Sequence, residues 1–179
     1  MKFFLLIIAL PLAVTVAGCA TTTTGSQRAA PTASAKLAAG DGAPRGEAVV
    51  TQDADGLRVV VKAQGLTPGT HAVHIHTTGQ CVGPDFTSAG GHWNPTARKH
   101  GKDNPMGMHM GDMPNMLAGP DGSGQIEYQI KGGTISGGAT PLLDADGAAV
   151  VIHAQADDNK SDPAGNAGGR VACGVLNAQ

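Results

Sequence analysis

Aromatic side chains are scarce: one Trp, one Tyr and three Phe in 179 residues. Charge of either sign is not in excess either. Twelve Lys and Arg against fourteen Asp and Glu leave a formal charge of −2, so the net figure points to no polyanion partner. There is no internal repeat, no nucleic-acid motif, no phosphate-binding Walker loop and no serine-triad signature. The one long apolar run, Phe3 to Val16, is broken by Pro11 and falls short of the ~20 residues a membrane-spanning helix needs. Glycine, by contrast, is abundant, at 27 residues. Glycine weakens helices and supplies the positive φ that turns require. The combination fits a small β domain with many tight turns better than a helical bundle.

The N-terminal run reads as an export signal: Lys2 provides the positive start, and the apolar stretch ends in Val16-Ala17-Gly18-Cys19. Small residues before a cysteine resemble a bacterial lipobox, in which cleavage precedes the cysteine and its thiol is acylated. The plainer alternative is ordinary secretion with cleavage nearby. We expect a lipoprotein signal over residues 1–18 and a lipid on Cys19. Ala20, in place of an aspartate, points to the outer membrane. Cys81 and Cys173 then remain as one pair, free to form a disulfide in an oxidising compartment. Residues 19–45, rich in Thr, Ala, Ser, Gly and Pro, offer too little large apolar surface to offset ordering entropy. They are expected to be the acylated cysteine and a flexible tether.

The folded domain is expected over residues 46–179. Glu47–Thr51 and Leu57–Ala63 are β-prone runs joined by a turn at Gln52–Gly56. Thr70–Thr77, Gln125–Ile130, Ala148–Ile152 and Val171–Leu176 are further strand candidates, the third of these being continuously apolar. Between Thr78 and Pro114 lies a long stretch of Gly, Pro, His and Asp without periodicity, and Asp157–Gly169 is a shorter one. Loops of this length in a compact domain are usually functional. The expected fold is all-β, an antiparallel Greek-key barrel or sandwich of about eight strands carrying two long loops.

Chemistry concentrates in the histidines. In His74-Ile75-His76 the period of two along a strand aims both imidazoles at one face, where they can share an ion. His71 lies an odd number of residues from His74, on the other face of a regular strand, and is expected to make structural hydrogen bonds. His92, His100, His109 and Asp112 in the long loop form a set of three imidazoles and a carboxylate, which suits tetrahedral zinc. His153 follows Val150-Val151-Ile152, and a polar residue at the end of a buried run needs a partner.

These segments resemble the copper–zinc superoxide dismutase family, of bacterial periplasmic lipoprotein type. The resemblance is carried by His71–His76, Ser88–Pro95, Arg98–Gly101, His109–Asp112, His153 with Asp157-Asp158, and Gly165–Gly174, in family order across the domain. It implies copper on His74, His76, His92 and His153, and zinc on His92, His100, His109 and Asp112, with His92 shared and able to carry a proton. Asp157 would link His74 to His100, and Arg170 would attract the anion beside the copper. The implied reaction converts superoxide to dioxygen and hydrogen peroxide by copper redox cycling, with zinc structural, protecting against superoxide outside the cytoplasm. Cys81 matches the bacterial position for the partner of Cys173. Lys99 or Lys102 is the expected source of steering charge. A metal-delivery module and an inactive relative are the competing functions; the complete ligand set and Arg170 favour the enzyme. The membrane is an expected partner through Cys19, nucleic acid is not, and monomer and homodimer stay open. Met106, Met108, Met110, Met113 and Met116 are read as loop packing, with Cu(I) capture as the alternative.

Overall fold

The computed structural model describes Met1 and residues 30–179; most of the expected signal, with Cys19, lies outside the described residues. The strands are β1 (Thr32–Ala38), β2 (Pro44–Gln52), β3 (Gly56–Ala63), β4 (Gly69–His71), β5 (Val73–His76), β6 (Met116–Ala118), β7 (Gly124–Lys131), β8 (Ala149–His153), β9 (Arg170–Val175) and β10 (Asn177–Ala178). They form one sheet in the order β4-β6-β7-β3-β2-β1-β9-β8-β5, with β10 also paired to β1.

Every pairing between these strands is antiparallel. β4 and β5 stand at opposite ends of the order, yet only Ala72 separates them in the chain. The sheet must therefore curl until its edges nearly meet. His153 N–H donates to Ala72 O at 2.9 Å and Ala72 N–H to Gln155 O at 2.8 Å, carrying the β5–β8 pairing up to the crossover into β4. The connections from β5 to β6 and from β7 to β8 join strands far apart in the order, as a Greek key does. The all-β, antiparallel barrel expectation holds, with nine strands along the path instead of about eight. Thr70–Thr77 is split at Ala72 because its two halves pair with different neighbours, β4 with β6 and β5 with β8.

The expected tether to residue 45 is corrected. β1 occupies Thr32–Ala38 and β2 begins at Pro44. Ala33, Ala35 and Leu37 are buried and alternate with Thr32, Ser34 and Lys36, as period two demands. Two of the three inward residues are alanines, small enough to resemble tether composition while filling a narrow space between strands.

The main core joins Val50, Leu57, Val59, Val61, Ile75, Val150 and Ile152 from several strands. β8 is buried along its whole length. Val150 and Ile152 face the main core, whereas Ala149 and Val151 meet Phe86, Ala89 and Cys173 under the long loop. A strand covered on both faces reads as a continuous apolar run, which is why Ala148–Ile152 does not alternate. Met113 and Met116 lie in the core and Met110 packs against it, while Met106 is 60% exposed.

Candidate metal centre

All seven histidines of the chain are at most 8% exposed, so none is simply a solvated surface residue. His74 and His76 come from β5, His153 from the end of β8, and His92 from the loop after β5. Their lone-pair atoms, with one nitrogen from each ring, all lie within 4.8 Å of one another.

The hydrogen bonds fix which nitrogen of each ring faces inward. His74 Nε2 meets Asp157 Oδ2 at 2.8 Å, His76 Nδ1 meets Gly90 O at 2.9 Å, and His153 Nδ1 meets Gly168 O at 3.3 Å. A carbonyl or carboxylate oxygen can only accept, so each of these nitrogens donates and its opposite nitrogen keeps a lone pair. The opposite atoms are His74 Nδ1, His76 Nε2 and His153 Nε2; with His92 Nε2 they are buried and have no hydrogen-bond partner. Four orphaned, convergent imidazole nitrogens are costly to bury unless an ion takes them.

A second cluster gathers around one oxygen. Asp112 Oδ1 lies 2.8 Å from His92 Nδ1, 3.1 Å from His100 Nδ1 and 3.2 Å from His109 Nδ1. His109 Nδ1 and His92 Nδ1 are 3.4 Å apart. Four ligand atoms about 2.0–2.1 Å from a tetrahedral ion would be about 3.3–3.4 Å from one another, so this set is close to the required size. Asp112 Oδ2 is held apart by the N–H groups of Gly101 at 2.8 Å and His109 at 3.0 Å. His92 thus presents Nε2 to one cluster and Nδ1 to the other.

Loop residues reach these positions by pairing with β5. Trp93 N–H donates to Ile75 O, Ile75 N–H to Gly111 O and Gly111 N–H to Trp93 O, at 2.8, 2.9 and 2.8 Å. Bridges set His92 opposite His76 and Asp112 opposite His74. A Cβ on Gly111 would strike Ile75 O, so only glycine permits this approach. Asp157 ties the clusters together, its Oδ1 lying 3.0 Å from His100 Nε2. Gly165, at φ +64, leaves room for that carboxylate, which a Cβ would strike.

Burial pushes the pKa of His76 down to about 2, of His92 to about 4 and of His153 to about 3. Burial acts downward on His100 too, but its bonds to Asp112 and Asp157 outweigh it and raise the ring to about 9. For Asp112, burial alone would raise the pKa; the surrounding histidines and the Gly101 N–H hold it well below the carboxylate range. Asp157 is likewise held low, against burial, by His100 and His74. The orphaned nitrogens of His76, His92 and His153 are therefore free of protons at neutral pH, as ligands must be.

A cavity of ≈ 320 Å³ opens on His76, His92 and His153, with Arg170 in its wall. Arg170 donates to Phe86 O and, at 2.7 Å, to Gly90 O, the same carbonyl that fixes His76. The Cys81–Cys173 disulfide joins the long loop to β9, with Cα atoms 5.7 Å apart. His71 stands apart from both clusters. Its Nδ1 and Nε2 face His153 O at 2.7 Å and Thr67 O at 2.8 Å, leaving no nitrogen for a metal. Lys99 and Lys102, the expected steering lysines, are paired with Asp162 and Asp103, each at 3.0 Å. Sequence reasoning missed Asp162, whose Oδ1 accepts the His100 N–H at 2.8 Å, and Asn115, which bonds the Asp157 backbone. A lone Asn or Asp in a polar loop carries no pattern that would have singled it out.

Comparison with known proteins agrees with this geometry. Residues 44–176 match the family profile described as copper/zinc superoxide dismutase (SODC). A superoxide dismutase [Cu-Zn] of Caulobacter vibrioides is 45% identical over 150 residues, covering 80% of this chain and 84% of its own. An extracellular superoxide dismutase [Cu-Zn] of Brugia pahangi is 35% identical over 158 residues, covering 81% and 75%. The crystal structure of a SOD-like protein from Bacillus subtilis superposes with a TM-score of 0.77 at 39% identity, covering 80% of this chain and 97% of that one. With two histidine clusters sharing His92 inside a matching barrel, the chain belongs to the copper/zinc superoxide dismutase family.

Proposed function

We infer that the chain is a superoxide dismutase in which His74, His76, His92 and His153 hold copper, while His92, His100, His109 and Asp112 hold zinc. The observation that carries this is the set of four buried nitrogens without partners beside a cluster sized for a tetrahedral ion. Imidazoles suit copper, and three imidazoles with a carboxylate suit zinc. Bound copper supplies the one-electron chemistry that zinc lacks.

The protein's own groups do the rest. Arg170 gives the cavity wall a positive charge and a guanidinium fork that matches a small oxygen anion. Its bonds to Phe86 O and Gly90 O hold it beside His76. His92 stays anchored through Nδ1 while Nε2, which has no other partner in the protein, can take up and return a proton. Two superoxide anions and two protons give dioxygen and hydrogen peroxide, and His92 Nε2 is positioned to deliver one of those protons.

The protein acts outside the cytoplasm, anchored through an acylated Cys19 to the outer membrane, where it removes superoxide. The Cys81–Cys173 disulfide supports this, since such bonds persist in oxidising compartments, as does the extracellular relative. Replacing Cys19 with serine is expected to move the protein from the membrane to the soluble fraction; an unchanged distribution would refute the anchor. For the catalytic reading, residues 30–179 should bind one copper and one zinc and remove superoxide only when copper is present. Full loading without copper-dependent activity would sink it.

A further inference from the structure

Asp157 joins the two clusters through its carboxylate, and its backbone is gripped by a single side chain from the barrel. Asn115 Oδ1 accepts the Asp157 N–H at 2.8 Å, and Asn115 Nδ2 donates to Asp157 O at 2.9 Å. A carboxamide and a peptide thus exchange two hydrogen bonds, as facing residues in an antiparallel ladder do. Asn115 directly precedes β6, whose Met116 pairs with His71 on β4, so the carboxamide is mounted on the sheet. Asn159 also bonds Asp157, through its N–H to Oδ1 at 2.6 Å and its Nδ2 to Asp157 O at 3.2 Å. Asn159 sits on the same loop as Asp157, however, and cannot fix that loop against the barrel.

We propose that Asn115 is a positioning residue that sets Asp157 against His74 and His100, and that its effect falls mainly on zinc. This rests on the reading that the three-imidazole and carboxylate set holds zinc. The asymmetry follows from how each histidine is supported. His74 lies in β5, in register with Val151 on one side and bridged to Asp112 on the other, so it keeps its place without Asp157. His100 belongs to no named strand. Its N–H is held by Asp162, its Nδ1 faces Asp112 and its Nε2 donates to Asp157. When Asp157 shifts, the His100 ring loses the acceptor that fixes its tautomer and half of its orientation.

The test is the rate of zinc release to a chelator from the protein loaded with both metals, measured for wild type, Asn115→Ala, Asp157→Asn and the double variant. Asn115→Ala is expected to release zinc about tenfold faster, in the range typical of lost outer partners. Its Cu(II) paramagnetic resonance spectrum should stay close to wild type. In the Asp157→Asn background the further loss of Asn115 should change the rate less than about twofold, because both act through one contact. Asn115→Asp keeps an acceptor for the Asp157 N–H and loses the donor, so an intermediate rate is expected; it serves as the test if the alanine variant fails to fold. A wild-type rate in either single Asn115 variant, fully multiplicative effects in the double variant, or a shifted copper spectrum with unchanged zinc release would overturn the proposal. A wild type that binds no zinc would overturn the zinc reading, and this role with it; zinc-loaded variants that behave as wild type overturn the role alone.

Discussion

Three of the four imidazoles that we assign to copper stand on strands, His74 and His76 on β5 and His153 at the end of β8, whereas His92, His100, His109 and Asp112 all belong to the loop between β5 and β6. The strand ligands inherit their geometry from the ladder, where Val73↔Ile152 and His76↔Ala149 fix the register. The loop ligands have to be assembled by cross-links: the pairing of Trp93 and Gly111 onto Ile75, the divided carboxylate of Asp112, and the Asp162 contact to His100. Rigid placement would suit the proposed copper site, whose metal changes oxidation state. Placement by loop makes the second site depend on many separate contacts, and segments of this kind open at lower free energy than core strands.

The strand side is broken most severely by removing β1. A chain starting at residue 46 loses every β1 pairing with β2 and β9, together with buried Ala33, Ala35 and Leu37. It is expected to show no cooperative thermal unfolding by circular dichroism, whereas residues 30–179 should unfold cooperatively. A folded shorter chain would mean that the barrel does not need β1.

The loop side should respond to Cys81→Ser. The disulfide spans 92 residues, and loss of a native bridge typically costs about 2–5 kcal/mol. Denaturant titration should show that loss, with the loop around Phe86 and Gly90 becoming more open to hydrogen exchange than β5. Equal exchange in both would erase the distinction between the regions.

Arg170→Ala probes the place where the regions meet, since this β9 residue holds two loop carbonyls. We expect kcat/KM to fall about tenfold or more, through loss of the charge that guides the anion. The remaining activity should depend less on ionic strength, and both metals should stay bound. Lys99→Ala should alter kcat/KM far less, because its ammonium is already paired with Asp162.

The smallest expected effect is on the pH dependence of the metal-free domain. His76, His92 and His153 have folded pKa values lowered to about 2, 4 and 3. Below about 6.5 the unfolded chain binds protons at these residues and the folded one does not, so stability falls as pH drops from about 6.5 toward 4. His100 works in the opposite sense: with its pKa raised to about 9, its contribution is complete below about 6.5 and is lost as pH rises through 9. Scanning calorimetry should show a melting temperature that declines on both sides of neutrality, more steeply on the acid side, where three groups act together. A flat acid limb would contradict the buried, neutral state of His76, His92 and His153.

Much of this division could be read from the residues. Period two in His74-Ile75-His76 gave a shared face. Parity set His71 apart on the premise of one regular strand; the strand breaks at Ala72, and it is the bonds to two carbonyls that keep His71 out of the clusters. The continuous apolar run before His153 marked a strand, and the structure shows it buried on both sides. β1 was hidden because its inward residues are mostly alanine, and β6 because three residues cannot display a period. Asn115 and Asp162 were illegible for a deeper reason: each acts on a residue more than 40 positions away, and only the fold brings the partners together.

The division of labour is tested most directly by metal content and superoxide removal in His153→Ala. His153 touches the strand-held set alone, so the account predicts that zinc stays at one per chain while copper is lost or misplaced. Activity should then fall by more than the roughly 100-fold that loss of an outer partner can cost. Retained copper-dependent activity, or zinc lost together with copper, would contradict it.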